Sequence, residues 1–263
     1  MTIGVGFECR DGVVLCADEQ ITWPGSHKHY ENKIYLHRWS GCTVAFTFAG
    51  DPDLMRSFDG KFEAAMKNQA VPHTGEKIQA LVEWLLDSMS ILDTEPLSLL
   101  MLCGIVIPDA EMRLIKTRGK IVSRISEETG YEFVGSGECS LLRYLVNLLV
   151  KRQSGEFIER HACTLGAFLV CRAVAFADDC GGDTDILVLH PDGMPEWRSN
   201  DAHNIEQNML RIESQVRNSA SLFFDRRVSD EDFSNQLDYL VSALKQEHGV
   251  MRIHPFTDYE RET

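Results

Sequence analysis

The sequence predicts an α+β fold in which two antiparallel sheets are covered by helices, and three observations carry that prediction. Strand-like runs and helical runs come in blocks instead of alternating one by one, which favours antiparallel sheets over βαβ units. Neighbouring strand-like runs are joined by Asp11-Gly12, Pro108-Asp109 and Arg118-Gly119, links too short for a parallel crossover. Between the strand blocks, apolar residues recur at three- and four-residue spacing, the mark of helices that bury one face.

Taken in order, residues 3–9 and 13–18 read as a hairpin around Asp11-Gly12. WPGSHKHYEN (23–32) reads as a polar loop, KIYLHRW (33–39) as a short strand, and CTVAFTFAG (42–50) as an apolar strand ending at Gly50. Asp51 or Asp53 can cap a helix to about Lys67, with Leu54, Phe58, Phe62 and Met66 on one stripe. Thr74 opens a second helix, whose apolar face is Ile78, Leu81, Leu85 and Met89. A β meander follows over 97–107, 111–117 and 120–125, and YEFVGSGE (131–138) ends a further strand. Helices are predicted over 140–152 and 163–177, then strand and turn in DILVLHPDG (185–193) after Gly181-Gly182. From about residue 202 the tail is helical, with one stripe of Ile205, Met209, Ile212 and Val216 and another of Phe233, Leu237, Leu240 and Leu244. No linker or solenoid repeat divides the chain, so the reading is one domain over 2–200 with a helical C-terminal extension over 201–263.

Composition excludes several function classes. The 263 residues carry a formal charge of −14, against a nucleic-acid partner. The longest apolar runs are too short to span a bilayer, and no signal peptide precedes the first strand, so the expected location is the cytoplasm, with no membrane partner. The eight cysteines contain no C-x-x-C pair and sit in apolar runs, as core residues do. His27-Lys28-His29 has no matching ligands nearby and reads as a solvated loop, so no metal is expected. Gly4-Val5-Gly6 and Gly135-Ser136-Gly137 do not extend to G-x-G-x-x-G, and no cofactor is expected.

The chemistry-bearing candidates begin with Thr2. A threonine hydroxyl is a weak nucleophile unless a base adjoins it, and the freed α-amine of an N-terminal threonine, with a pKa near about 8, can be that base. Such a terminus calls for a carboxylate to orient it and a cation to depress nearby pKa values; Asp18, ending the second strand, and Lys33, opening the third, are the right types. In this setting TIGVGFECRDGVVLCADEQIT resembles the start of the proteasome β-subunit and HslV-like family of N-terminal nucleophile hydrolases, as a divergent bacterial-type homologue. DEQIT is similar to the DxQxT stretch of HslV, and FTFAGDPDLM to the family's strand–Ala-Gly–helix junction, which makes Gly50 the oxyanion donor by resemblance. FVGSGE resembles the family's Gly-Ser-Gly, with Ser136 placed to support the terminal amine. ADDCGGDTDILVLHPDG resembles the Asp-x-x-Ser-Gly-Gly segment, but Cys180 stands in the serine position and the acidic position falls on Ala177, with Asp178 and Asp179 beside it. Either the loop is shifted or that support is remodelled.

The resemblance implies a four-layer αββα sandwich and a threonine-type endopeptidase working by acyl transfer. It implies peptide or unfolded-protein substrates, a homo-oligomeric ring, and a substrate pocket around Ile21, Thr22 and Thr47. It leaves open whether an ATPase unfoldase is needed. It also leaves open two alternatives: a catalytically inactive assembly member, and an amidase acting on a small non-peptide amide.

Overall fold

The computed structural model describes residues 2–23, 27–67, 74–89, 99–125, 129–138, 140–149, 157–224 and 228–253. The chain divides into two units, Met1–Ala202 and His203–Thr263. Strands β1 (Gly4–Cys9), β2 (Gly12–Asp18), β3 (Gln20–Trp23), β4 (His27–Tyr30), β5 (Ile34–Trp39) and β6 (Cys42–Gly50) come first. Helices α1 (Pro52–Lys67) and α2 (Gly75–Ser88) follow, then β7 (Leu99–Ile107), β8 (Glu111–Arg118), β9 (Ile121–Arg124) and β10 (Tyr131–Val134). The remaining elements are α3 (Ser140–Leu149), α4 (Glu159–Phe176), β11 (Thr184–Leu189), β12 (Pro195–Trp197), α5 (Ser199–Phe224) and α6 (Asp230–Ile253). The fold is thus mixed α+β, with six helices among the described residues.

The strands form two five-stranded sheets, ordered β10-β1-β2-β11-β12 and β5-β6-β7-β8-β9, and a two-stranded ribbon, β3-β4. Every pairing between named strands is antiparallel. The two-residue alternation of β6 decides the packing: Ala45 and Ala49 face one way, Phe46 and Phe48 the other. On the alanine side, Val13, Leu15 and Ala17 of β2 and Leu187 and Leu189 of β11 meet Leu102, Val106 and Leu114. On the phenylalanine side, Phe46 and Phe48 pack on Phe58 and Phe62 of α1, with Ile78, Val82 and Leu85 of α2 in the same core. The small residues let the sheets approach one another, and the large ones fill the gap to the helices. Helix α4 lies on β1, β2 and β11.

Caps set the helix starts. Asp51 Oδ1 accepts from the amides of Asp53 at 2.8 Å and Leu54 at 3.4 Å. The Thr74 hydroxyl accepts from Lys77 N–H at 3.3 Å. Two sequence expectations are corrected. Residues 23–32 are not simply a loop: β4 pairs with β3, Ile21 opposite His29 and Gln20 opposite Tyr30. A strand with exposed Lys28, His29 and Tyr30 needs no apolar alternation, so its polar residues hid it. Helix α4 starts at Glu159, four residues before 163, because Asp11 Oδ1, far away in sequence, accepts the Glu159 amide at 2.8 Å.

In the second unit, Phe233, Leu237, Leu240 and Leu244 of α6 form a half-buried stripe, while Tyr239 and Val241 are exposed. Among the described residues no helix is long and apolar enough to cross a membrane.

Phe46 is fully buried and meets the Phe62 ring edge-on at 4.7 Å between centroids and the Phe58 ring at 5.5 Å. Phe46→Ala is expected to lower unfolding free energy by about 3–5 kcal/mol, read by denaturant titration; a loss under about 1 kcal/mol would mean this core is not formed as described.

Candidate active site

The hairpin of β1 and β2 returns the chain to its own start. Gly4 pairs with Ala17, and beyond that pair Asp18 N–H donates to the Ile3 carbonyl at 3.2 Å while Ile3 N–H donates to Asp18 Oδ1 at 2.9 Å. This register sets Thr2 beside Asp18, and the Thr2 hydroxyl donates to the same Oδ1. Lys33 enters just before β5, where Asn32 Oδ1 accepts the Ile34 amide at 2.7 Å and fixes the turn. Lys33 Nζ donates to Asp18 Oδ1 at 2.7 Å and to the Thr2 hydroxyl oxygen. The three side chains are 3%, 0% and 1% exposed for Thr2, Asp18 and Lys33, so the cluster is a buried ion pair with a hydroxyl set into it. Burial pulls the Lys33 pKa down and the Asp18 charge pulls it back, with a net fall.

Two glycine turns close on the cluster. In the 135–138 turn, Gly137 N–H donates to the Thr2 carbonyl at 3.2 Å. Gly135 has φ +101°, and a Cβ there would overlap the Thr2 carbonyl oxygen, so both backbone angle and space demand glycine. The second turn presents Gly181 N–H to Asp18 Oδ2 at 3.0 Å. A small cleft opens on Thr2 and Lys33, bordered by Gln20, Ile21, Gly50, Pro52 and Met55.

The structure therefore brings Thr2, Asp18, Lys33, Gly50 and Ile21 to one place, and sets other candidates apart. Ser136 is exposed, and among the described residues its hydroxyl makes no hydrogen bond to Thr2; the turn serves Thr2 through its backbone. Thr47 is fully buried between the sheets against Gly4, on the Ala45 and Ala49 face, away from the cleft. The side chain of Thr22 lies outside the described residues. Asp178 is exposed and Asp179 half-buried; what Asp178 gives its neighbours is a carbonyl, which accepts Lys28 Nζ at 3.1 Å. Cys180 is buried with its sulfur against Gly137, and burial, reinforced by the Asp18 charge, pushes its thiol up to about 12. It remains a protonated thiol at neutral pH. Sequence reasoning missed Gln20, Pro52 and Met55. Pro52 carried a readable signal, as a proline just inside a helix start after the Asp51 cap. Met55 shares the buried face of α1 with Phe58 and Phe62, at i, i+3, i+7 spacing, so its signal was that of a core residue.

One group of metal-type ligands exists among the described residues: Glu159, His190 and Glu196, half-buried. His190 Nδ1 lies 3.1 Å from Glu159 Oε2, and Nε2 lies 2.9 Å from Glu196 Oε2. Arg198 reaches Glu159 Oε1 at 3.0 Å and Glu196 Oε2 at 2.9 Å. With carboxylates on both ring nitrogens and a guanidinium between them, the arrangement is a closed ring of hydrogen-bonded and ionic contacts. It ties α4 to β12 and the segment after β11, and Arg198 offsets part of its negative charge.

No protein-family model matches the chain, and no curated protein matches it. Similar solved structures include an Anbu mutant from Hyphomicrobium sp. strain MC1, at 14% identity and TM-score 0.69, covering 83% of this chain and 97% of that one. Anbu (ancestral beta-subunit) from Yersinia bercovieri has 12% identity and TM-score 0.69, with coverage of 81% and 95%. The helical assembly of the Anbu complex from Pseudomonas aeruginosa has 13% identity and TM-score 0.66, with coverage of 82% and 96%. At this identity the likeness is one of fold. It corrects the assignment drawn from the sequence: the similarity is to Anbu, proteasome-like but a family distinct from the proteasome β-subunit and HslV-like group.

The carboxylates on both its nitrogens raise the His190 pKa above the ordinary value. A raised folded pKa contributes stability that is complete below the unfolded value, about 6.5, and is lost as pH rises through the folded value. His190→Asn is accordingly expected to destabilise the protein by about 1.5 kcal/mol at low pH, with the gap to wild type narrowing toward alkaline pH in paired denaturation curves. A gap that widens with pH would contradict the imidazolium.

Proposed function

We propose that the chain is an N-terminal threonine hydrolase, a threonine-type endopeptidase that cleaves peptide bonds by acyl transfer within a self-assembled homo-oligomer. The observation that carries the reading is the convergence of the Thr2 hydroxyl and Lys33 Nζ on one oxygen of a fully buried Asp18. Burying a lysine and an aspartate has an effective penalty of several kcal/mol per ion, and apolar residues of similar volume often serve stability as well or better. A sheet hairpin has no use for that pair, whereas a weak nucleophile does.

In the proposed sequence of steps, removal of Met1 frees the Thr2 amine. Thr2 Oγ1 attacks the substrate carbonyl carbon as its proton passes to the amine, through a water. Lys33 favours the developing alkoxide, and Asp18 holds Lys33 and the hydroxyl in register. The amide of Gly50 receives the oxyanion, a donor whose loss typically raises the barrier by about 3 kcal/mol. The tetrahedral carbon collapses to a Thr2 ester, the amine proton leaves with the departing peptide amine, and water then hydrolyses the ester to regenerate Thr2. Ile21, with Gln20, Pro52 and Met55, borders the substrate cleft. Ser136, Asp178, Asp179 and Cys180 are assigned to support of the site from their turns.

The finer architecture we propose is a four-layer αββα sandwich over residues 2–200, with α1 and α2 outside one sheet and α3 and α4 outside the other. The helical extension over 201–263 is proposed to pack on this domain or on a neighbouring subunit, and the cytoplasm is its proposed location. A structure of similar fold carries the description of a helical assembly, which supports self-association here.

Intact mass after incubation with a threonine-directed β-lactone tests the chemistry. Wild type should show loss of Met1 and one acyl adduct, and Thr2→Ala should take up none; retention of Met1 with no adduct on the wild type would overturn the hydrolase reading. Native mass spectrometry of the same sample should return a multiple of the subunit mass. A monomer at micromolar concentration would overturn the assembly.

A further inference from the structure

Asp18 Oδ1 receives the Thr2 hydroxyl, the Ile3 amide and Lys33, and its orientation is what aligns nucleophile and cation. The terminal torsion of an aspartate is soft and roughly twofold, so a donor on the second oxygen restrains it further. The donor recorded on its other oxygen is the Gly181 amide, at 3.0 Å. What holds Gly181 in place therefore bears on the whole site.

Gln20 is two residues beyond Asp18 and 2% exposed. Its backbone N–H donates to the Gly181 carbonyl at 2.9 Å, and its side-chain Nε2 donates to the Asp178 carbonyl at 3.4 Å. A Cβ on Gly181 would fall against Gln20 Oε1, so the side-chain amide lies close against the turn. Lys28 also reaches the Asp178 carbonyl, at 3.1 Å, but from an exposed position where water competes. We propose that Gln20 is a positioning residue: its buried side-chain amide clamps the 178–181 turn, and thereby keeps the Gly181 N–H on Asp18 Oδ2.

The clamp is a property of the fold, whereas its consequence for reaction rests on the threonine-hydrolase reading, so the experiment reads the two separately. Gln20→Met keeps the volume and removes the polar ends, and Gln20→Glu keeps the shape and removes the Nε2 donor; Lys28→Ala removes the exposed tether. Hydrogen exchange of the Gly181 amide should accelerate by about tenfold or more in both Gln20 variants, with exchange in β6 and β7 unchanged, and should stay at the wild-type rate in Lys28→Ala. In β-lactone inactivation, the Gln20 variants should lose about tenfold or more in maximal rate while the half-saturating concentration moves by less than about threefold. Unchanged Gly181 exchange in either Gln20 variant that folds overturns the clamp. An effect on half-saturation alone overturns the positioning role and makes Gln20 a wall of the cleft. If the wild type takes no label, the hydrolase reading fails, and the exchange comparison still decides the clamp.

Discussion

The buried pair of Asp18 and Lys33 is the constraint around which the rest of the N-terminal unit is arranged. Two opposite charges taken out of water are tolerated only when their remaining hydrogen-bonding capacity is met. That requirement reaches into four parts of the chain: the strand start that supplies the Ile3 amide, the end of β2, the approach to β5, and the turn that supplies the Gly181 amide. None is near another in sequence except through the hairpin. The hairpin register is consequently what assembles the pair. A slip of one residue would turn Asp18 to the opposite face and leave Lys33 buried without its counter-charge.

The two cores make that precision possible. The alanines of β6 let the sheets close on one another around the pair, while its phenylalanines lock the same strand to α1 and α2. Gly50 ends this strand, and Pro52 and Met55 begin the helix, so one side of the cleft is tied directly to the aromatic core. The other side is the ribbon, held by Arg56 of α1, whose guanidinium reaches both oxygens of Glu31 at 3.1 Å.

Sequence made the local parts of this legible and hid the distant ones. The β1–β2 hairpin, the cap at Asp51, and the Thr2, Asp18 and Lys33 set could be read because turn chemistry, capping and strand ends are short-range signals. The β3–β4 ribbon was missed because β4 is a short polar strand with exposed Lys28, His29 and Tyr30 and no apolar period, and the start of α4 because its cap comes from Asp11 across the fold. Thr47 was misplaced because period-two alternation fixes which residues share a face, not whether that face is the cleft or the space between the sheets. The family assignment went too far for a related reason. Short glycine- and aspartate-bearing motifs report turns and strand ends that distinct families share with the fold itself.

The same distinction explains the turns at 135–138 and 178–181, where the expected side chains differ from what the structure uses. Ser136 points to solvent and Asp178 offers only its carbonyl, yet both turns reach the site, through the amides of Gly137 and Gly181. Backbone amides keep their donor whatever side chain stands beside them. Such a site can tolerate Cys180, whose buried thiol is a weak donor and stays protonated, where a stronger hydrogen-bonding residue was expected. It cannot tolerate a change in the path of the turn. At Gly135 a single added carbon would meet the Thr2 carbonyl. Specificity for this arrangement therefore resides in its glycine turns and in the residues that hold them beside the buried Asp18 and Lys33 pair.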